Sequence, residues 1–223
     1  MKKKKKLIVL NNFKLKKNFI LSALNLAFIS YLLSNKINIT KNFYLWNDGI
    51  FGKLFINIKK TPGYELLKLL SINKFKEILV IGNSNKKDIN YLKKIFKTKI
   101  KTLKLPQVTY EEIKKLDIFI KKNTLIIITL PTPKQEILAN RIVVINKFYK
   151  IVCIGGGLGI ASGNIKKCPK ILSVLGLEAF WRLRTDTIRR LNRLIASILI
   201  SLYYLILTNK IKQYLFIKAN DKS

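Results

Sequence analysis

A chain of 223 residues with 49% apolar side chains is long and apolar enough to bury a sizeable core, which excludes a disordered class. Its 44 basic and 11 acidic residues give a net charge of +33, which favours polyanionic partners: nucleic acid, acidic lipid or phosphorylated substrates. There is no histidine, which excludes an imidazole base, a histidine metal ligand and a Ser-His-Asp triad, so a general base is expected among the carboxylates and, after them, Lys or Tyr.

Lysine is spread along the whole chain, and much of it reads as solvated surface. Arginine is more telling, because five of six (Arg182, Arg184, Arg189, Arg190 and Arg193) fall within twelve residues. The two cysteines, Cys153 and Cys168, have no metal-type spacing and suggest no disulfide framework, which fits a reducing compartment.

In chain order, residues 1–6 are a lysine run, and residues 7–10 are too short for a signal-peptide core. Residues 19–33 are apolar almost throughout, broken by Ser22, Asn25 and Ser30. Fifteen residues are short for a membrane span, which needs about 20. A buried strand-to-helix unit breaking near residues 22–25 is expected, with a signal anchor as the alternative. Residues 43–55 place Asp48-Gly49 inside an apolar stretch. Two readings stand here: an Asn-Asp-Gly hairpin turn, or a partly desolvated carboxylate suited to base work. Residues 61–66, TPGYEL, have the chemistry of a helix start.

Residues 77–82, EILVIG, read as a buried strand that runs into a polar loop, Asn83-Ser84-Asn85, and then a helix over 86–96. Residues 106–120 read as a turn plus an amphipathic helix, with Glu111 and Glu112 in its first turn. Residues 125–129 form a β-branched run suited to a strand buried on both faces. Pro131 and Pro133 end it. Thr132 is expected as the helix N-cap, Pro133 at the first helical position and Gln135 as the partner in a capping box. Residues 149–154 read as another buried strand, and the following Gly155-Gly156-Gly157 lets a backbone approach a ligand closely. Residues 178–193 are expected to be helical, with Arg182, Arg189 and Arg193 on roughly one face. Residues 194–207 suit an interfacial helix followed by lysines, or alternatively a C-terminal core helix.

Four of these stretches carry a resemblance. Leu130-Pro131-Thr132-Pro133-Lys134-Gln135-Glu136 resembles the PKQE motif of the WecG/TagA/CpsF glycosyltransferases, glycosyltransferase family 26. Gly155-Gly156-Gly157, with Ser162-Gly163 through Pro169, is similar to that family's glycine motif. Gly176-Leu177-Glu178-Ala179-Phe180-Trp181-Arg182-Leu183 is similar to its GLEWLYRL motif, and Arg189 and Arg193 fall on the arginines that follow. Residues 61–66 resemble the family's GxDL motif, a reading that stands equally beside plain helix-start chemistry, and the resemblance as a whole spans roughly residues 19–207. It implies Asp48, in a DG pair, as catalytic base and Asn25 as a second catalytic residue. It implies Gly82, Asn83, Pro133, Lys134, Gln135, Glu136, Gly155 and Gly156 as donor contacts. Lys167, Arg182, Arg189 and Arg193 would meet diphosphate or lipid. The chain departs from the family pattern at Ala23 (usually Thr, with Ser22 next door), Pro131 (usually Gly) and Gly159 (usually Asp).

The expected fold is α/β: a mostly parallel Rossmann-like sheet flanked by helices over residues 1–176, and a basic, apolar helical appendage over 177–223. The expected function is inverting, metal-independent transfer of an N-acetylmannosamine-type sugar. The donor would be a UDP-sugar and the acceptor a polyprenyl-diphosphate-linked sugar. The setting would be the anionic inner face of the cell membrane, in cell-surface polysaccharide synthesis. No cofactor is expected, and no D-x-D carboxylate pair occurs. A homo-oligomer is compatible with the sequence. Two alternatives stand beside this reading. One is a catalytically degenerate membrane-associated relative, favoured by the three departures. The other is a basic nucleic-acid-binding protein, for which the chain carries no recognised reading element.

Overall fold

The computed structural model describes residues 5–11, 13, 15, 18–49, 57–105, 107–169, 171–172, 181, 187–204 and 213–219; for 187–190, 193 and 194 it describes the backbone alone. The strands are β1 (Lys5–Leu10), β2 (Phe19–Leu24), β3 (Phe43–Asn47), β4 (Glu77–Ile81), β5 (Lys99–Leu103), β6 (Thr124–Ile128), β7 (Lys150–Cys153) and β8 (Tyr214–Lys218). The helices are α1 (Leu26–Leu33), α2 (Gly63–Leu70), α3 (Lys86–Phe96), α4 (Tyr110–Lys115), α5 (Lys134–Ile145), α6 (Gly157–Ala161) and α7 (Thr187–Leu202).

Among the described residues all eight strands belong to one sheet, in the order β5-β4-β6-β7-β2-β3-β1-β8, and every pairing is parallel. A parallel sheet is covered on both faces, so its central strands must be apolar throughout. β2 and β6 are buried at every residue and apolar at all but Ser22 and Thr124. Side chains alternate between two cores. Ile20 and Leu24 of β2 join Phe28 and Ile29 of α1 and Leu138 and Ile142 of α5 on one face. Phe19 and Leu21 join Leu66 and Leu67 of α2, Leu92 of α3 and Leu158 of α6 on the other. Each fully buried Leu, Ile or Phe contributes about 1.5–3 kcal/mol through removal from water.

Residues 19–33 form the expected strand-to-helix unit. Asn25 breaks it, its side chain accepting from the Phe28 N–H as the α1 cap. Among the described residues no helix is long and apolar enough to cross a membrane. β3 has parallel partners on both sides, β1 and β2, so it is not one arm of a hairpin through Asn47-Asp48-Gly49. The helix over 86–96 has the expected bounds and opens with a reciprocal capping box between Asn85 and Asp88.

Two expectations are corrected. Thr132 is not an N-cap. The Thr132-Pro133 bond is cis, α5 starts at Lys134 with Pro133 before it, and no side chain caps it. The Thr132 hydroxyl turns instead to Gln135 and Glu136. The C-terminal segment is also not wholly helical. Tyr214–Lys218 adds strand β8 beside β1, with Tyr214 and Phe216 packed on the core. The open backbone edge of β1 and these two aromatic side chains outweigh the basic character that makes the segment read as a tail.

Candidate active site

A parallel sheet brings the carboxyl ends of all its strands to one edge, and ligands bind there where neighbouring strands send their chains to opposite faces. β4 continues into α3 on one face, whereas β6 continues into α5 on the other. The loops after β2, β3, β4, β6 and β7 therefore meet at one edge. These loops and the first turn of α5 carry Asn25, Asp48, Gly82-Asn83, Pro133 to Glu136, and Gly155-Gly156. Residues far apart in sequence share this edge because every strand runs the same way.

Asp48 follows β3 and is half-buried. Its Oδ1 accepts the backbone N–H of Gly63, the first residue of α2, at 2.9 Å. The loop is propped by buried Asn47, whose Nδ2 donates to Ile58 O and whose Oδ1 accepts the Gly49 N–H. Gly63 lies against the glycine loop: a Cβ there would stand 3.5 Å from Ile154 Cγ1 and 3.8 Å from both Asp48 Oδ1 and Gly157 Cα. The carboxylate is thus tethered to the first turn of α2, and that turn lies against the start of α6.

Glu136 is the centre of a buried polar network. It is 0% exposed. Its Oε1 accepts from the Ser22 hydroxyl at 2.7 Å, Gln135 Nε2 at 2.9 Å and the Thr132 hydroxyl at 3.3 Å. Burial pushes its carboxyl above the usual glutamate range, against the pull of those hydrogen bonds. Oε2 has no hydrogen-bond partner among the described residues. Gln135 is 3% exposed; its Oε1 accepts the Gly155 N–H at 2.9 Å, and its Nε2 also donates to the Thr132 hydroxyl. Gly155, at φ +52°, is therefore held by the α5 start. Burial, and then the Glu136 charge, raise the neighbouring Cys153 thiol well above its ordinary value.

On the other side of the edge, Gly82 has φ +114°, and a Cβ there would lie 2.6 Å from the Thr129 hydroxyl oxygen. That hydroxyl donates to Asn83 O at 2.9 Å, tying the β4 loop to the β6 loop. Gly82→Ala is expected to cost about 2–3 kcal/mol from the strained backbone and the clash. Thermal melting should show this as a fall of roughly 4–12 °C. Beside this loop lies a cleft of about 300 Å³ lined by Gly82, Asn83, Ser84, Asn85, Asp88, Lys104 and Asn164. Asp88 bridges its walls, accepting from the Asn85 N–H and from the Ser162 hydroxyl.

The other expected residues divide. Lys134 is engaged by the segment ahead of α4, donating to Val108 O at 2.7 Å and lying over the Tyr110 ring. Lys167 is exposed and sits over the Tyr64 ring. Pro133 is buried at the start of α5, and Gly156 is exposed, with nothing within 4 Å of a Cβ built on it. Arg182 lies outside the described residues. So do the side chains of Arg189 and Arg193, which fall on α7.

Two of the departures acquire a physical account. Ser22 and Ala23 point to opposite faces of β2, and Ser22 is committed to Glu136, so its hydroxyl does not replace one at position 23. At Gly159 a Cβ would lie 2.8 Å from Ile165 Cδ1, so the isoleucine fills the space of a larger side chain. Gly63, Tyr64, Thr129, Asp88, Ser162, Lys104 and Asn164 were not singled out as site residues by sequence reasoning. The available signals were the helix-start stretch for Gly63 and Tyr64, the glycine motif for Ser162 and Asn164, and the Asn85–Asp88 capping spacing for Asp88.

The sequence model of the glycosyl transferase WecG/TagA/CpsF family matches residues 90–215, more than half of the chain. The matched span contains the α5 start, the glycine loop, Lys167 and the arginine segment, and ends within β8; Asn25, Asp48, Gly82 and Asn83 lie before it. No curated protein matches the chain.

Proposed function

Because the chain belongs to the WecG/TagA/CpsF family of glycosyltransferases, which act in cell-surface polysaccharide synthesis, we propose that it moves an N-acetylmannosamine-type sugar from a UDP-sugar to an undecaprenyl-diphosphate-linked sugar acceptor. The observation that carries this reading is the Asp48 carboxylate, fixed by the Gly63 N–H beside the glycine loop at the carboxyl edge of the sheet. Asp48 takes the proton of the acceptor hydroxyl as its oxygen attacks the anomeric carbon. The bond from that carbon to the diphosphate breaks on the opposite face, so the configuration inverts. The departing nucleoside diphosphate is met by Lys167 and by Arg182, Arg189 and Arg193. Gly82, Asn83 and the cleft beside them take the nucleotide. Gln135, Glu136 and Pro133 act on the donor through the Gly155-Gly156 loop that they support, and Asn25 and Lys134 border the same edge. No step is assigned to a metal.

The test is release of nucleoside diphosphate from a panel of UDP-sugars with a polyprenyl-diphosphate-GlcNAc analogue. Turnover with at least one donor is the expected result. Absence of turnover with every donor would favour a degenerate relative, a reading supported by the occupied Ser22 hydroxyl and the filled space at Gly159.

Peripheral binding to an anionic inner-membrane surface is part of the proposal, and α7 supports it. Its buried side carries Ser197 and Ser201 and packs on α1. Leu191, Ile195, Ile198, Leu199 and Leu202 form an exposed stripe on the opposite side, with Leu199 61% exposed. A helix folded only for a soluble core would bury that stripe. Ile195→Glu with Leu199→Glu leaves the buried side intact and is expected to reduce sedimentation with anionic liposomes at least about tenfold, since each change removes an apolar contact and adds a repelled charge. Liposome binding equal to that of the unchanged protein would rule the interfacial role out.

A further inference from the structure

We infer that Tyr64 is a positioning residue, whose ring holds the Lys167 ammonium ion at the rim of the site for the diphosphate of the donor. The inference rests on the transferase reading for the identity of that ligand.

Lys167 Nζ lies 4.5 Å from the centroid of the Tyr64 ring, nearer than any other cation–ring pair among the described residues, which lie at 5.3–5.9 Å. Tyr64 is the second residue of α2 and is half-buried, whereas Lys167 is exposed. A lysine left in solvent gives up rotamer freedom when an anion captures its head. A ring that already holds the head removes part of that cost. It covers one side of the ammonium ion and leaves other N–H donors for an anion.

The position of Tyr64 in the chain makes this more than a surface contact. The residue before it, Gly63, donates its N–H to Asp48. The first turn of α2 therefore fixes the carboxylate through one residue and the ammonium ion through the next. Gly63 and Gly157 make the join close: a Cβ on Gly157 would lie 3.4 Å from the Gly63 carbonyl carbon and 2.9 Å from Ile154 Cγ1. Base and cation come from segments far apart in sequence, and α2 sets their separation. A transferase needs that separation, because the base works on the attacking oxygen while the cation meets the departing oxygen on the other side of the same carbon.

The test uses the full chain and inorganic pyrophosphate as the probe, with affinity measured by calorimetry at low salt. Tyr64→Phe keeps the ring and should bind as the unchanged protein does. Tyr64→Leu should weaken binding about two- to fivefold, the range expected of an exposed cation–ring contact. Tyr64→Trp should tighten binding. Each effect should vanish when Lys167 is replaced by Met, an exposed change that the fold tolerates. In turnover, Tyr64→Leu should lower kcat/KM for the donor by the same factor, and Tyr64→Phe should leave it unchanged. Equal affinity for Tyr64→Leu and Tyr64→Phe, or an undiminished Tyr64 effect in the Lys167→Met background, would overturn the inference, as would absence of pyrophosphate binding by the unchanged protein. The two readings fail separately. Turnover without the Tyr64–Lys167 coupling removes the positioning role and leaves the transferase. Coupling without turnover on any donor leaves a diphosphate site in a protein that is not the proposed transferase.

Discussion

Asp48→Asn is expected to lower kcat for glycosyl transfer by roughly 10² to 10⁴, the range supplied by a positioned general base. The substitution isolates basicity from structure. The asparagine carbonyl oxygen can still accept the Gly63 N–H that Asp48 Oδ1 accepts at 2.9 Å, so the first turn of α2 keeps its tether. KM for the UDP-sugar should stay within about twofold, as for a change that acts on the chemical step and not on donor binding. Release of nucleoside diphosphate by both proteins gives the measurement. Equal turnover would remove Asp48 as the base while leaving the transferase in place. A large fall in melting temperature would mean that the carboxylate matters to the loop instead.

Glu136→Ala is expected to be the most destabilising single change at the site. It removes the acceptor of the Ser22 hydroxyl and of the Gln135 amide in a place closed to water. Unpaired buried donors cost about 1–3 kcal/mol each. A net loss of about 3 kcal/mol should lower the melting temperature by roughly 6–12 °C. Activity should fall as well, because Gln135 would lose its support and with it the hold on the Gly155 N–H. Glu136→Gln behaves differently, since its carbonyl oxygen keeps accepting from Ser22 and Gln135 and its amide mimics the protonated acid. The folded protein holds the Glu136 carboxyl above its ordinary value of 4.5, chiefly through burial. The neutral acid is favoured in the folded state, so its contribution to stability is fully present below pH 4.5 and is lost as pH rises through the raised value. Melting of the unchanged protein and of Glu136→Gln should therefore diverge in favour of the glutamine variant as pH rises from 4.5. Parallel curves across that window would mean that the carboxyl is not raised.

Both variants depend on residues that were legible in different degrees. The run over 125–129 and the glycines after 154 announce a buried strand and a turn, because a strand covered on both faces needs an unbroken apolar run and a close backbone approach needs glycine. The role of Gln135 is not announced. Its spacing from Thr132 suits a capping box, yet the helix starts at Lys134 without a side-chain cap, and the amide closes on Gly155 instead. Strands β1, β5 and β8 are hard to read for a related reason. They lie at or next to the sheet edges, where lysines such as Lys5, Lys99, Lys101 and Lys218 are tolerated and blur the apolar pattern.

By itself the sequence determined the α/β class, the central strands with the helices that follow them, the absence of an imidazole base and the family motifs, because each is written in local periodicity, composition or short spacing. Only the tertiary structure decided that Asp48 is tethered to Gly63, that Glu136 is sealed against Ser22, that Lys167 lies on Tyr64 and that the apolar stripe of α7 faces outward. The physical reason is the same in each case. A parallel sheet gathers the ends of distant strands at one edge, and which side chain meets which is fixed by strand order and facing, which no local pattern encodes.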